Sequence, residues 1–344
     1  MRDLPRLILP WYRANRRALP FREGRDPYRI WVSEIMLQQT RIEAVIPYYY
    51  RFVKELPTVN ALAACPEEKL LKLWEGLGYY SRARNLKKAA GIMVERHGGK
   101  VPGDYEALLS LPGIGAYTAG AIASIAFGLP EPAVDGNVLR VIARITGDER
   151  DVLDPKTRKD VAEKLKAVYP AGTDAGDLTE GLMELGEVLC LPGGAPKCGD
   201  CPARESCRAC RDGSWDRIPY RAPAKEKRVC PKTVFLLRCG GKYAVRQRTE
   251  SGLLHGLFEF PGIDGHLTKK EALAFLEKQG LTVLSFSPGK KAKHVFTHLI
   301  WDMTSYRAEA ETEAPGFLWK TPEELRNEIA LPTAFKAFWK EISE

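Results

Sequence analysis

Apolar residues recur at helical spacing through most of the chain and shift to strand-like alternation in its last third. Pro27-Tyr28-Arg29-Ile30-Trp31-Val32-Ser33-Glu34-Ile35-Met36-Leu37 reads as an apolar helix running on towards Ile46, where Pro47 follows. Leu70, Leu71, Leu73, Trp74 and Leu77 repeat at the same period until Gly78 stops them. Residues 89–94, 119–127, 138–145 and 178–189 read the same way. Gly98-Gly99, Pro112-Gly113, Gly128-Leu129-Pro130 and Gly147-Asp148 separate them as turns. Residues 1–210 are therefore expected to form an all-helical domain of many short helices. Residues 211–230 are polar, basic and punctuated by Pro219 and Pro223, and read as a linker. Over 231–344 the period changes. Residues 233–238 and 243–248 flank Cys239-Gly240-Gly241-Lys242 as a hairpin, and 294–306 reads as another strand. Residues 271–279 and 333–342 read as helices. The second domain is expected to be α+β, and the chain as a whole multi-domain.

Composition narrows this picture. A chain of 344 residues suits two domains, and 44% hydrophobic residues exclude general disorder. No apolar run approaches the roughly 18–20 residues of a membrane span. The start, Met1-Arg2-Asp3-Leu4-Pro5, lacks a basic-then-apolar signal layout, so a cytoplasmic, nucleoid-associated location is expected. Lys plus Arg number 52 against 44 Asp plus Glu, a net charge of +8 that favours a polyanionic partner. No repeat or low-complexity segment is visible, and a monomer is the default expectation. Eight cysteines in a chain without an export signal point to metal or reactive thiols before disulfides.

Four segments carry candidate chemistry. In Leu111-Pro112-Gly113-Ile114-Gly115-Ala116-Tyr117-Thr118 one helix ends and another begins across a two-glycine turn. Gly113 and Gly115 permit close backbone approach, and the N–H groups at the new helix start suit a phosphate. This is the look of a helix-hairpin-helix clamp on DNA backbone. In Ala133-Val134-Asp135-Gly136-Asn137-Val138, Asp135 or Asn137 suits a helix cap, and Asp135 also suits a carboxylate held at a helix start facing the hairpin. Glu34 stands among Trp31, Val32, Ile35, Met36 and Leu37; buried there, it would have a raised pKa and suit a general acid. Gln38, Gln39 and Thr40 are uncharged hydrogen-bonding groups suited to base edges. Cys190, Cys198, Cys201 and Cys207 can supply four thiolates to one centre, which suits zinc or an iron–sulfur cluster; spacing alone leaves both open.

Together these segments resemble the helix-hairpin-helix DNA glycosylases with an iron–sulfur cluster, the endonuclease III superfamily. Within it the chain resembles the MutY family of adenine DNA glycosylases, which act on adenine opposite 8-oxoguanine. The resemblance rests on residues 31–40, Trp74-Glu75-Gly76-Leu77-Gly78-Tyr79-Tyr80-Ser81-Arg82, 111–118, 133–138, the cysteine run and Phe296-Thr297-His298. It implies a helical glycosylase domain followed by a Nudix-like domain. It also implies a partner: double-stranded DNA with adenine opposite 8-oxoguanine or guanine. Bifunctional relatives carry a hairpin lysine where this chain has Tyr117, so a monofunctional hydrolase of base excision repair is implied.

The resemblance assigns roles. Glu34 matches the acid that protonates adenine, Asp135 the carboxylate opposite the developing sugar cation, and Tyr117 and Asn137 residues that position them. Arg22, Leu37, Ile42 and Glu180 match the adenine pocket. Gln39, Thr40 and Tyr79 match contacts to DNA around the lesion, with Gly113 and Gly115 on its backbone. Phe296, Thr297 and His298 match the loop that reads 8-oxoguanine, whose oxidised ring turns N7 from acceptor to donor. Cys190, Cys198, Cys201 and Cys207 match the ligands of a [4Fe–4S] cluster. Seven residues separate Cys190 from Cys198 where the family usually has six, Thr297 stands where Ser is usual, and Phe21 where Trp is common. Cys210, Cys230 and Cys239 fall outside the pattern and receive no role. Leu273–Gly280 keeps one carboxylate of the Nudix metal helix, so nucleotide hydrolysis is not expected.

Overall fold

The computed structural model describes residues 1–223, 226–249 and 252–342. Ala224 and Lys225, inside the stretch read as a linker, lie outside the described residues. The helices in chain order are α1 (Leu4–Asn15), α2 (Pro27–Leu37), α3 (Ile42–Glu55), α4 (Val59–Ala64), α5 (Glu67–Leu73), α6 (Ser81–Arg96), α7 (Tyr105–Leu109), α8 (Ala116–Phe127), α9 (Gly136–Thr146), α10 (Pro155–Lys166), α11 (Thr173–Val188) and α12 (Arg208–Arg211). The strands are β1 (Arg228–Cys239), β2 (Lys242–Gln247), β3 (Phe258–Glu259), β4 (Gly262–Asp264), β5 (Val283–Val295), β6 (Leu299–Ala310) and β7 (Leu318–Lys320). Among them lie α13 (Lys269–Lys278), α14 (Pro322–Asn327) and α15 (Trp339–Ile342). Among the described residues no helix is long and apolar enough to cross a membrane.

The chain divides into two compact units. One combines residues 1–65 and 84–223; the other combines residues 66–83 with the C-terminal part of the chain. In the first, α8 is apolar on every side, and all of its residues from Thr118 to Ile125 are buried. It packs against α2 and α11, and α11 also packs against α1 and α9. Local signals start these helices. Asp26 accepts a hydrogen bond from the Arg29 amide and Pro27 follows it, which opens α2. Gly113 turns the chain between α7 and α8 at φ +80°, and a Cβ there would come within 2.6 Å of Asn85 Cβ.

The second unit is a mixed sheet in the order β3-β2-β1-β6-β5, with β4 on β1 and β7 on β2. β1 and β2 form the expected hairpin, closing at Cys239↔Lys242, and β1 lies parallel to β6. Both faces of the sheet are covered. Val234, Leu236, Val245 and Trp301 meet Phe335, Phe338 and Ile342 on one side. Phe235, Leu237 and Ala244 meet Ala272 and Leu276 of α13 on the other. Residues 66–83 join this unit through Lys72 Nζ, which donates to the carbonyls of Arg326 and Ile329, and through Glu75 Oε1, which accepts from the Leu331 amide.

Two expectations of local structure need correction. The helix read from Pro27 towards Ile46 stops at Leu37 and restarts at Ile42. Gln39 between them adopts φ +56°, which breaks the helical ladder and carries no sequence signal in a non-glycine residue. Likewise the strand read over 294–306 is the end of β5 and the start of β6, antiparallel partners with Val295 opposite Ile300. The chain reverses at Phe296-Thr297-His298, where no glycine or proline marks a turn.

Candidate active site

Glu34, Tyr117, Asp135, Asn137, Arg22, Glu180, Leu37, Ile42 and Thr40 all line one cavity of about 160 Å³ in the first unit. Drug-sized sites run to roughly 300–1,000 Å³, so this one suits a single small flat group. Glu34 comes from the middle of α2 and is 6% exposed. Tyr117, second residue of α8, donates a 2.6 Å hydrogen bond to Glu34 Oε2. Burial pushes the Glu34 carboxyl up to about 7, against the opposing pull of that bond, with the nearby Glu180 and Asp135 adding to the rise. Burial and the Glu34 charge hold the Tyr117 phenol far above its ordinary value, so it stays a donor.

Asp135 is a helix cap whose side chain also lines the cavity. It caps α9, with Oδ1 accepting from the Val138 amide at 2.7 Å, and Oδ2 accepts from Asn137 Nδ2 at 3.1 Å. Burial raises its pKa, against the pull of those bonds and of Arg140. Asn137 is fixed from behind: Arg140 Nη2 donates to Asn137 Oδ1 and to the Gly186 carbonyl, both at 2.8 Å. Gly186 is required here, because a Cβ would lie 2.7 Å from Asn137 Cβ. Arg140 Nε donates to the Cys190 carbonyl at 2.8 Å, so one guanidinium joins the cavity wall to the cysteine segment.

The opposite wall is a buried charge network that the sequence only partly disclosed. Tyr12 donates to Glu180 Oε2 at 2.7 Å. Arg22 lies 3.3 Å from Glu180 and 2.8 Å from Glu184, and Arg17 donates to Glu184 at 2.6 Å. Burial pushes Glu180 up; burial pushes Glu184 up too, but its bonds to Arg17 and Arg22 outweigh this and hold it below its ordinary value. Tyr12, Arg17 and Glu184 were not among the sequence candidates. A signal existed: Glu180 and Glu184 stand one turn apart on α11, beside the buried Leu178, Leu182 and Leu185.

The remaining candidates lie elsewhere. Gly113, Gly115 and Gln39 are exposed in the first unit, the glycines at the hairpin leading into α8. In the second unit Tyr79, at φ +47°, and Thr297 meet: their hydroxyls are 2.9 Å apart. Phe296 packs edge-on against Trp301 at 4.9 Å and against His294 at 4.5 Å, which anchors the turn, while Thr297 and His298 stay exposed.

Cys190, Cys198, Cys201 and Cys207 line a second cavity of the first unit with apolar walls that include Val141, Leu189 and Trp215. The buried Arg144 donates to Cys190 Sγ at 3.3 Å and to the carbonyls of Leu191, Trp215 and Ile218 at 2.8 Å each. Thiol donors in an apolar shell with a cationic donor to one sulfur are the chemistry that a thiolate-ligated cluster takes. Among the described residues, no three His, Cys, Asp or Glu side chains are gathered tightly enough to hold a lone metal ion. Cys210 lines the same cavity. The sequence reading passed it over, although Cys207-x2-Cys210 repeats the spacing of Cys198-x2-Cys201.

Comparison with known proteins gives the class first. Residues 32–171 match the HhH-GPD superfamily of base excision DNA repair proteins, and residues 233–341 match the NUDIX domain. Among solved structures, a thermostable thymine-DNA glycosylase is similar, with a TM-score of 0.55 and 30% identity, covering 60% of this chain and 95% of its own. A non-covalent endonuclease III–DNA complex is similar at a TM-score of 0.51 and 25% identity, covering 62% and 98%. The fold is thus a helix-hairpin-helix glycosylase followed by a Nudix-like domain. The adenine DNA glycosylase of Rattus norvegicus is 34% identical over 98% of this chain and 78% of its own length. The chain belongs to the adenine DNA glycosylase (MutY) family and is a DNA N-glycosylase, a hydrolase.

Proposed function

We propose that the protein removes adenine lying opposite 8-oxoguanine, or opposite guanine, from duplex DNA by hydrolysing its N-glycosidic bond, and leaves the strand uncut. The observation that carries this reading is Glu34: a buried carboxyl with a pKa of about 7, bonded to Tyr117 and sharing a small cavity with Asp135. A base must leave the stack to enter such a cavity. Adenine leaves poorly as an anion. Glu34 gives its proton to N7, the C1′–N9 bond breaks, and positive charge develops on the sugar. Asp135 stabilises that charge. Water then adds to C1′ and returns a proton to Glu34. Tyr117 and Asn137 hold the two carboxyls in register. Arg22, Leu37, Ile42 and Glu180 form the adenine pocket. No lysine is among the described residues lining the cavity, which supports hydrolysis without a Schiff base.

DNA is held by the exposed Gly113–Gly115 hairpin on phosphate, with Gln39 and Thr40 at the opened stack; Tyr79 is a DNA contact of the second unit. Thr297, with Phe296 and His298, reads the N7 donor of 8-oxoguanine. Cys190, Cys198, Cys201 and Cys207 would hold a [4Fe–4S] cluster, which would fix the loop whose Lys197, Arg204 and Arg208 offer positive charge to phosphate. The enzyme acts as a monomer.

Single-turnover base release tests the reading, with duplexes carrying adenine opposite 8-oxoguanine, adenine opposite guanine and thymine opposite guanine, each with and without alkali. Breaks that need alkali and form fastest opposite 8-oxoguanine are expected. Thymine release, or breaks without alkali, would move the chain to a sister branch.

A further inference from the structure

Carboxylates outnumber guanidiniums around the candidate cavity. Glu34, Asp135, Glu180, Glu184 and Glu187 line it, against Arg17, Arg22 and Arg41. Two of the guanidiniums are committed. Arg17 donates to both oxygens of Glu184, at 2.6 and 3.1 Å, and Arg22 lies 2.8 Å from Glu184 and 3.3 Å from Glu180. Arg41 differs from them. Its side chain is exposed while lining the cavity, which puts it at the mouth, and among the described residues it forms no ion pair with a carboxylate. Its backbone is fixed on both sides. The Arg41 carbonyl accepts from the Ala44 and Val45 amides at 3.1 Å each, and Gln38 Nε2 donates to Thr118 Oγ1 at 3.2 Å. A pinned stretch of chain therefore offers one uncommitted cation beside a wall rich in negative charge.

We infer that Arg41 binds a phosphate next to the extruded adenosine. This rests on the reading that the cavity receives an adenine from DNA. The cavity suits a single flat group, so the sugar and the phosphates on its two sides stay at the mouth. Those phosphates are anions brought up to carboxylates. Even with the Glu34 proton in place, the lining keeps more carboxylates than guanidiniums, and like charges repel strongly where little water intervenes. Arg17 and Arg22 could answer a phosphate only by leaving Glu180 and Glu184, which would strand buried charge. Arg41 leaves no partner behind, and a guanidinium can bind two phosphate oxygens at once. Held this way, the nucleotide stays out of the stack. The contact is the same before and during bond breaking, so it raises the extruded fraction and leaves the chemistry to Glu34 and Asp135.

The test is single-turnover release of adenine opposite 8-oxoguanine, with enzyme below saturation, by the full-length wild type, R41K and R41Q. Three duplexes are compared: one with natural phosphates, one with a neutral methylphosphonate 5′ to the adenosine and one with it 3′. On the natural duplex R41Q is expected to fall about tenfold. R41K keeps the charge and should fall about threefold or less. The slope of log rate against log salt should flatten by about 1 in R41Q, the loss of one phosphate contact. At one of the two methylphosphonate positions the wild type should fall by the same factor as R41Q, and R41Q should fall no further. That position identifies the phosphate. R41Q at the wild-type rate, an unchanged salt slope, or an equal further loss by R41Q on all three duplexes overturns the contact while leaving the glycosylase in place. A wild type that releases no adenine overturns the glycosylase reading, and this inference with it.

Discussion

The phenol of Tyr117 donates to Glu34 Oε2 at 2.6 Å, and this bond opposes the effect of burial on the same carboxyl. Burial favours the neutral acid. The phenol favours the carboxylate, because a donor bonds more strongly to the charged form. The acid's working range is set by the balance of the two, and each can be moved separately.

Tyr117→Phe removes the donor and keeps the ring. Glu34 then rises further above about 7, so the alkaline limb of the base-release profile moves to higher pH. The rate below that limb falls about tenfold or less, since positioning suffers but the acid remains. A pH–rate series under single-turnover conditions decides this. A limb that stays in place, or moves to lower pH, removes Tyr117 from the control of Glu34.

Glu34→Gln separates activity from stability. Loss of a general acid costs roughly 10²–10⁴-fold in rate. Stability moves the other way. The folded chain holds Glu34 protonated up to about 7, whereas the free carboxyl ionises near 4.5. Folding therefore takes up a proton between those values, and wild-type stability falls as pH rises through that window. Glutamine does not ionise and escapes the loss. The variant should match the wild type near the lower value and exceed it at alkaline pH, each tenfold change in the proton equilibrium being worth about 1.4 kcal/mol. Denaturant melts at several pH values would falsify this by showing a constant difference.

Glu184→Ala tests the network behind the pocket. It leaves Arg22, whose side chain is 12% exposed, facing Glu180 alone, and removes the partner of Arg17. Breaking a buried pair from one side costs about 3–5 kcal/mol. A melting temperature within a degree or so of the wild type would show that these guanidiniums find water or other partners.

The residues of the candidate cavity that stood out in the sequence did so because each carries a local signal. Glu34 stands out against an apolar helix, Asp135 announces a cap, and Tyr117 follows a two-glycine turn. What stayed hidden depends on residues far apart. Nothing in the α5 segment distinguishes a helix buried among other helices from one whose Lys72 and Glu75 bond to residues 326–331. β5 was missed because its exposure does not alternate cleanly: its register with β6 shifts twice, between Val283 and Ser285 and between Pro288 and Lys291. Gln39 and Tyr79 take left-handed backbone angles that side-chain chemistry does not encode. Cys210 was within reach, since the repeat of its spacing is written in the chain.

Thr297 and Tyr79 offer the sharpest test of lesion reading. Their hydroxyls are 2.9 Å apart in the second unit, and both side chains are exposed. A hydroxyl both donates and accepts, so Thr297 can accept from the N7–H of 8-oxoguanine where guanine offers no hydrogen. Thr297→Ala should lose roughly twofold to tenfold of the preference for 8-oxoguanine over guanine, the worth of one hydrogen bond at about 0.5–1.5 kcal/mol. Cleavage opposite guanine should hardly change. Thr297→Ser keeps the hydroxyl and should keep the preference. Tyr79→Phe keeps the ring and the strained backbone but frees the threonine hydroxyl to rotate, so its loss should be smaller than that of Thr297→Ala and of the same kind. The comparison is between rate ratios for the two substrates. If Thr297→Ala slows both equally, the residue supports the turn and reads nothing.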